Sequence, residues 1–156
     1  MKFKSLPKAF GTAAAGALIA ATCVVANSSA AAAADYYNYD APTKATDVRT
    51  FKVYTAGSGA QLQLRMGKYK GSWYRWARVS KPDSNLNKKY NLYFARWGDP
   101  GQCKVVDGGY TKDIDGTTYT PALKVTDAQA PYCTYRAAWS EKGKPTTGKY
   151  IDWNGR

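Results

Sequence analysis

Short runs of alternating apolar and polar residues, separated by turn signals, constrain the fold of this chain more than any other feature. The clearest run is Gln61–Met66, in which Leu62, Leu64 and Met66 alternate with polar residues as in a half-buried strand. No stretch carries the i, i+3, i+4, i+7 spacing of an amphipathic helix. The sequence therefore predicts an all-β fold: a single small sandwich or partly open barrel of about eight or nine short antiparallel strands.

Turn residues punctuate the remaining strand-like runs. The pair Asp115-Gly116 separates Tyr110–Ile114 from Thr117–Thr120 and predicts a tight β-hairpin between these two segments. Lys81–Asn85 is expected to be a loop. The other predicted strands are Phe51–Tyr54, Trp73–Val79, Tyr90–Trp97, Cys103–Val106, Leu123–Val125, Cys133–Trp139 and Lys149–Trp153.

Residues 1–34 have the three-part pattern of a secretory signal peptide. Lys2, Lys4 and Lys8 precede an apolar stretch at Thr12–Val25, and small residues at Asn27–Ala34 offer cleavage sites. The apolar stretch is shorter than a bilayer of about 30 Å requires, which disfavours a membrane anchor. We therefore expect a secreted, extracellular protein with no membrane span.

Cleavage of that signal changes the composition of the mature chain. Removing 34 of 156 residues leaves 122, enough for one domain, and removing three lysines but no acid lowers the formal net charge from +12 to +9. Two cysteines remain, Cys103 and Cys133. In an oxidising compartment they are expected to form a disulfide, the alternative being free or intermolecular thiols.

The chain contains no histidine, which removes the usual forms of nucleophilic catalysis and the usual zinc ligand. Asp113 and Asp115-Gly116 resemble the start of a calcium loop, but the later ligands are missing and a turn explains them better. Asp113 with Asp107 or Asp127 is a possible carboxylate pair that nothing singles out. We expect no enzyme, no metal and no cofactor.

Residues 35–47 precede the β domain, residues 48–156, and are predicted to form an extended N-terminal arm. The arm carries Tyr36, Tyr37 and Tyr39, although disordered tails are usually poor in aromatic residues. Such a segment is expected to become ordered against another surface. Two surfaces are equally compatible with it: a partner protein, or the chain's own domain, which the segment would join as an edge strand.

Tryptophan and arginine recur together in three of the predicted strands. The period of two places Trp73, Arg75 and Ala77 on one face of their strand and Tyr74, Trp76 and Arg78 on the other. Because tryptophan, tyrosine and arginine are enriched at interaction hot spots, partner binding is predicted for the arm tyrosines and for Trp76, Arg78 and Trp97. The alternative is that the tryptophans fill the core while arginine stems cover its edges.

The basic charge is scattered along the chain, with Lys88-Lys89 the only adjacent basic pair after residue 34. A nucleic-acid-binding protein usually clusters such charge, so no nucleic-acid partner is expected. A glycan or the anionic cell wall remains a possible weaker partner.

The strand pair Leu62-Gln-Leu-Arg65 and Trp76-Ala-Arg-Val79 resembles one in a family of small exported actinobacterial proteins of unassigned function. In overall layout, the chain resembles the adaptor subunit of actinobacterial umbrella toxin particles. That resemblance implies a signal peptide, a tyrosine-bearing arm and a compact β domain that links other subunits.

These observations favour a secreted, non-catalytic protein-binding domain, an adaptor in an extracellular antibacterial toxin assembly. One alternative is a carbohydrate or cell-wall binding module that uses Trp73, Trp76, Trp97 or Trp139. Another is an inhibitor of a secreted hydrolase, in which Gly67–Gly71 or Lys81–Asn85 would be inserted into the enzyme.

Overall fold

The computed structural model describes residues 37–98, 103, 109–126 and 130–154, and the predicted signal peptide lies outside them. Within these ranges the chain forms ten strands in two antiparallel sheets with no closed barrel, which confirms the all-β prediction. The elements are β1 (Tyr37–Asn38), α1 (Ala41–Lys44), β2 (Thr46–Thr55), β3 (Gln61–Tyr69), β4 (Ser72–Ser80), α2 (Ser84–Lys89), β5 (Tyr90–Gly98), β6 (Tyr110–Asp113), β7 (Thr118–Tyr119), β8 (Ala122–Val125), a 3-10 turn (Ala130–Tyr132), β9 (Cys133–Glu141) and β10 (Lys144–Asn154). None of the helices in the described ranges is long and apolar enough to cross a membrane.

The two sheets are built mainly from hairpins. The six-stranded sheet has the order β1-β8-β4-β3-β2, with β7 also paired with β4, and the four-stranded sheet has the order β10-β9-β5-β6. At the β3–β4 turn, Lys70 and Gly71 have φ angles of 47° and 77°, as a two-residue turn of type I′ requires.

The predicted hairpin at Asp115-Gly116 is wrong, although the turn exists. β6 pairs with β5 in one sheet and β7 pairs with β4 in the other, so the turn carries the chain between sheets. The turn is held locally, because the Asp115 N–H donates to the Thr118 hydroxyl and the Gly116 N–H donates to the Asn87 side chain. β6 forms four residue pairs with β5, whereas the two-residue β7 could offer it only two.

The main core lies between the two sheets and is made from alternate residues of the long strands. Leu62 and Leu64 of β3 meet Leu92 and Phe94 of β5 in this layer, and all of them are fully buried. A smaller cluster lies on the outer face of the six-stranded sheet, where α1 covers Trp76. β4 is therefore covered on both faces.

The predicted disulfide between Cys103 and Cys133 is present, with 30 residues of sequence separation. Cys133 begins β9, where it pairs with Gly98 at the end of β5. Both cysteines are buried within the main core. The bond therefore ties the segment after β5 to the central pair of strands in the four-stranded sheet.

From Tyr37 onward, the N-terminal segment does not form the extended arm predicted for residues 35–47. Tyr37 and Asn38 pair with Leu123 and Ala122 of β8, so the segment adds an edge strand to its own domain. Tyr37 is only 8% exposed and packs in the main core, because its face of β1 points between the sheets. The alternative of an edge strand therefore describes Tyr37 and Asn38, whereas Ala41–Lys44 forms α1 and β2 begins at Thr46.

Candidate binding pocket and neighbouring surfaces

A pocket of about 110 Å³ lies where an edge of the larger sheet approaches an edge of the smaller one. β1 and β6 are end strands of their sheets, and the rings of Tyr37 and Tyr110 are 5.4 Å apart across the gap. Aromatic rings, prolines and a few polar groups line the pocket: Tyr39, Pro42, Thr43, Tyr110, Lys112, Tyr119, Thr120 and Pro121.

The N-terminal wall of the pocket depends on a turn fixed by Asn38. The Asn38 side-chain oxygen accepts hydrogen bonds from the N–H groups of Asp40 and Ala41, 3.0 and 2.7 Å away. These bonds satisfy donors at the start of α1, where Pro42 also fits because the first turn of a helix needs no N–H from it. The sequence thereby places Pro42 and Thr43 over the six-stranded sheet.

A carboxylate anchors α1 to the sheet beneath it. Asp40 accepts a hydrogen bond from the Tyr69 hydroxyl at 3.2 Å and forms an ion pair with Lys44 at 3.1 Å. The hydrogen bonds from Lys44 and then Tyr69 lower the pKa of Asp40. The wall that carries Pro42 is therefore tied to β3.

A bulge in the strand formed by β7 and β8 supplies a second wall. Arg78 pairs with Tyr119 and Arg75 pairs with Leu123, so this strand holds one more residue than β4 over the same interval. The Thr120 N–H donates to the Ala77 carbonyl, and the Thr120 hydroxyl accepts from the Ala77 N–H, each at 3.1 Å. Pro121 has no N–H to pair, which makes the bulge favourable there.

Three tyrosines give the pocket its aromatic character. Tyr39 is 65% exposed, and its ring meets that of Tyr110 edge-on at 6.1 Å. Burial, and next the neighbouring Tyr39, raises the pKa of Tyr110. Rings and prolines of this kind bind apolar, aromatic or proline side chains, while Lys112 and two threonines supply polar contacts.

The residues predicted to bind a partner do not form one surface. Tyr39 lines the pocket, Tyr37 lies in the core, and Tyr36 lies outside the described residues. Arg78 flanks the pocket, because its guanidinium lies 5.4 Å from the centre of the Tyr119 ring. The Arg78 side chain also donates to the Gln63 side chain at 3.1 Å.

Trp76 does not belong to any exposed surface, which corrects its assignment as a binding residue. It is fully buried, and it packs with Ala41 and Ala122 beneath α1. Gly67 makes this packing possible, since a Cβ there would lie only 3.0 Å from the Trp76 ring. The alternative, that tryptophan fills the core, describes this residue.

Trp97 lies on the outer face of the four-stranded sheet, apart from the pocket. The Arg136 guanidinium is 4.7 Å from the Trp97 ring and 4.1 Å from the Tyr150 ring. Arg136 also donates two hydrogen bonds to the Asp152 carboxylate, at 2.7 and 2.6 Å, and these raise the pKa of Arg136. The arginine already has its carboxylate and ring partners here.

Sequence reasoning missed most of the pocket. Tyr110, Tyr119 and Pro121 come from segments far from Tyr39 in sequence, and only the sheet topology brings them together. One signal was available: Pro121 interrupts a strand-like run at Tyr119–Ala122, and proline within such a run indicates a bulge or an edge.

The acidic residues of the described ranges do not cluster. No group of three or more histidine, cysteine, aspartate or glutamate residues in these ranges has the arrangement needed to hold a metal ion. Asp113, a residue of the calcium-loop pattern, forms an ion pair with Lys142 at 3.3 Å, while Asp107 and Asp127 lie outside the described residues. Comparison with family models, curated proteins and solved structures finds no match to this chain.

Proposed function

We propose that this chain is a non-catalytic protein-binding domain that works as an adaptor in an extracellular assembly. The observation that carries the proposal is the pocket lined by Tyr39, Tyr110 and Tyr119 with two prolines. The signal-peptide pattern and the disulfide support an extracellular setting. An antibacterial toxin assembly is the setting that the layout resemblance favours.

The pocket suits one side chain of an extended peptide. Its volume of about 110 Å³ is well below that of typical small-molecule sites, which begin near ~300 Å³. β6 is an end strand and pairs only with β5 among the described residues, so its outer edge is positioned to accept an extended segment. A partner segment aligned with this edge would place a proline or aromatic side chain against Tyr39.

This proposal reverses the direction of docking expected from the sequence. An extended arm would insert its tyrosines into a cleft on the partner. Here Tyr37 is buried in the domain and Tyr39 forms part of a receiving pocket. The N-terminal segment therefore builds a site for the partner's segment.

Binding to arrays of proline-containing and aromatic peptides tests the proposal. Tyr39→Ala should abolish capture of the peptides that the unmodified chain retains. Tyr150→Ala is the matched control, because Tyr150 is similarly exposed, at 54%, but lies beside Arg136 on the other sheet. Capture that survives Tyr39→Ala, or fails equally in both variants, would contradict a role for the pocket.

A carbohydrate-binding module is the second candidate, with a reduced set of residues. Trp76 and Trp139 are buried, whereas Trp73 and Trp97 are partly exposed. Trp97, Tyr150 and Asp152 each contact Arg136, and aromatic rings combined with a carboxylate are a common arrangement for sugar recognition. Loss of a glycan-induced tryptophan fluorescence change in Trp97→Ala, but not in Tyr39→Ala, would favour this candidate over the first.

A further inference from the structure

Two arginines lie side by side on the outer face of the six-stranded sheet. Arg65 of β3 pairs with Trp76 of β4, and Gln63 pairs with Arg78, so the two arginines are diagonal neighbours on one face. Diagonal positions of adjacent strands are about 7–8 Å apart, within reach of long side chains. Their guanidinium groups therefore share one small area of surface.

No acidic residue balances this pair among the described residues. The ion pairs found there use Lys44, Arg136, Lys142 and Lys144, and neither Arg65 nor Arg78 takes part in one. The Nε atoms of both arginines are shielded from solvent and lack a hydrogen-bond partner within the described ranges.

The neighbouring polar groups are already committed to one another. The Gln63 oxygen accepts from Arg78 at 3.1 Å, while the Gln63 nitrogen donates to Gln61 at 2.8 Å. Ser80 donates to the same Gln61 oxygen at 3.4 Å. This network occupies Nη1 of Arg78, and among the described residues it leaves Nη2 of Arg78 and both terminal nitrogens of Arg65 without a hydrogen-bond partner.

The electrostatics of the pair favour an added negative charge. Burial, and next the positive charge of Arg78, lowers the pKa of Arg65. Arg78 thus raises the free energy of the charged form of Arg65, and an anion beside them would reverse that effect. Arginine donors also bind oxyanions more strongly than they bind neutral acceptors.

We propose that Arg65 and Arg78 form a binding site for a single oxyanion, such as a carboxylate or sulfate group. Tyr119 borders the site, because its ring lies against Arg78, and it also lines the pocket described above. The site does not depend on what fills that pocket. Its ligand is either a free anion or an acidic side chain carried by a peptide.

Thermal unfolding in sodium sulfate, compared with sodium chloride of equal ionic strength, tests the site. Sulfate should raise the melting temperature of the unmodified chain by about 3 °C more than that of Arg65→Gln or Arg78→Gln. Comparing variants removes the general stabilising effect of sulfate on proteins. Lys88→Gln is the matched control, because it removes one exposed positive charge from α2, which packs against β5. Equal sulfate responses in all four proteins would overturn the proposal.

If a variant fails to fold, NMR spectroscopy of the unmodified chain still tests the site directly. The Nε–H resonances of Arg65 and Arg78 in the unmodified chain should shift on titration with sulfate, whereas that of Arg136, already bound to Asp152, should not. Shifts of all arginine resonances together, or of none, would overturn the site.

The source of the oxyanion is resolved by two further titrations. Sodium acetate supplies a free carboxylate, and a short aspartate-containing peptide supplies one on a polymer, with the asparagine version as its control. If acetate or sulfate shifts the arginine resonances at concentrations similar to those at which the peptide does, the ligand is a free ion. If the aspartate peptide shifts the resonances at much lower concentration than the free ions do, and the asparagine version does not shift them, the ligand is an acidic peptide segment.

Discussion

The Arg75 guanidinium lies 3.7 Å from the centre of the Trp153 ring and so joins the two sheets through a buried cation. The Tyr135 ring is 4.4 Å away on the same side of the core. Arg75 is only 4% exposed, and two of its nitrogens have no hydrogen-bond partner in the described part of the chain. Burial lowers the pKa of Arg75 to about 10.

Replacing Arg75 with methionine is expected to stabilise the fold. Ring contacts with a desolvated cation are worth about 2 kcal/mol, whereas burying an ion costs several kcal/mol. Methionine retains much of the length and contacts aromatic rings well. Arg75→Met should therefore raise the free energy of unfolding by about 1 kcal/mol, measured by urea titration.

Arg136→Met is the comparison for that experiment. Arg136 has a carboxylate partner in Asp152, so its loss should destabilise the chain or leave it unchanged. A large loss of stability in Arg75→Met would show that the ring contacts outweigh the desolvation of the guanidinium.

The alternating pattern correctly predicted which residues share a face of a strand. It could not predict which other elements cover each face. The period of two correctly separated Arg75 and Ala77 from Trp76 and Arg78. It could not show that the Arg75 face lies between the sheets or that α1 covers Trp76. Those outcomes depend on contacts between segments distant in sequence.

The sequence pattern did not predict α2. Lys81–Asn85 was expected to be a loop, yet α2 begins at Ser84. The Asp83 carboxylate accepts a hydrogen bond from the Leu86 N–H at 2.8 Å and so caps the helix. Aspartate before a short polar segment is such a cap signal, but a helix of under two turns has too little periodicity to be recognised.

The disulfide is expected to contribute strongly to stability. Closing a loop of 30 residues lowers the entropy of the unfolded chain, which raises the free energy of the unfolded chain by about 3–4 kcal/mol at 25 °C. Replacing both Cys103 and Cys133 with serine should lower the urea midpoint correspondingly. Adding a reductant to the double variant should have no further effect, whereas an unchanged midpoint in the variant would contradict a stabilising role for the bond.

A side chain at Gly67 is expected to be destabilising, because the segment that joins α1 to β2 approaches this glycine closely. A Cβ at Gly67 would lie 2.9 Å from the Ala45 Cβ and 3.1 Å from the Thr46 carbonyl oxygen. Gly67→Ala should therefore cost about 1–3 kcal/mol of stability. It should also weaken peptide binding, because α1 carries Pro42 of the pocket.

Gly57→Ala is the control for Gly67→Ala, since a Cβ at Gly57 would meet no atom of the described residues within 4 Å. Urea titration should show little change in this variant. Equal stability of the two alanine variants would mean that Ala45 and Thr46 move away from β3 at little cost.

The stability of the fold at alkaline pH is expected to depend on the Tyr37 hydroxyl. Burial raises the pKa of Tyr37, and its hydroxyl has no hydrogen-bond partner among the described residues. Above pH ~10 the unfolded chain releases this proton while the folded chain keeps it, so stability falls as pH rises. Arg75 acts oppositely: with its pKa lowered to about 10, the folded chain releases its proton first, and stability rises above that pH.

Tyr37→Phe should therefore make the alkaline loss of stability less steep, by up to about 1.4 kcal/mol per pH unit. At neutral pH it should stabilise the chain by about 1 kcal/mol, because it removes an unpartnered buried hydroxyl. Arg75→Met should instead make the alkaline loss steeper. Urea titrations at pH 7 and about pH 10.5 measure these slopes, with Tyr150→Phe as a control that removes an exposed hydroxyl. If Tyr37→Phe kept the slope of the unmodified chain, the Tyr37 hydroxyl would have to be solvated in the folded protein, and β1 would not be held against β8 as the structure places it.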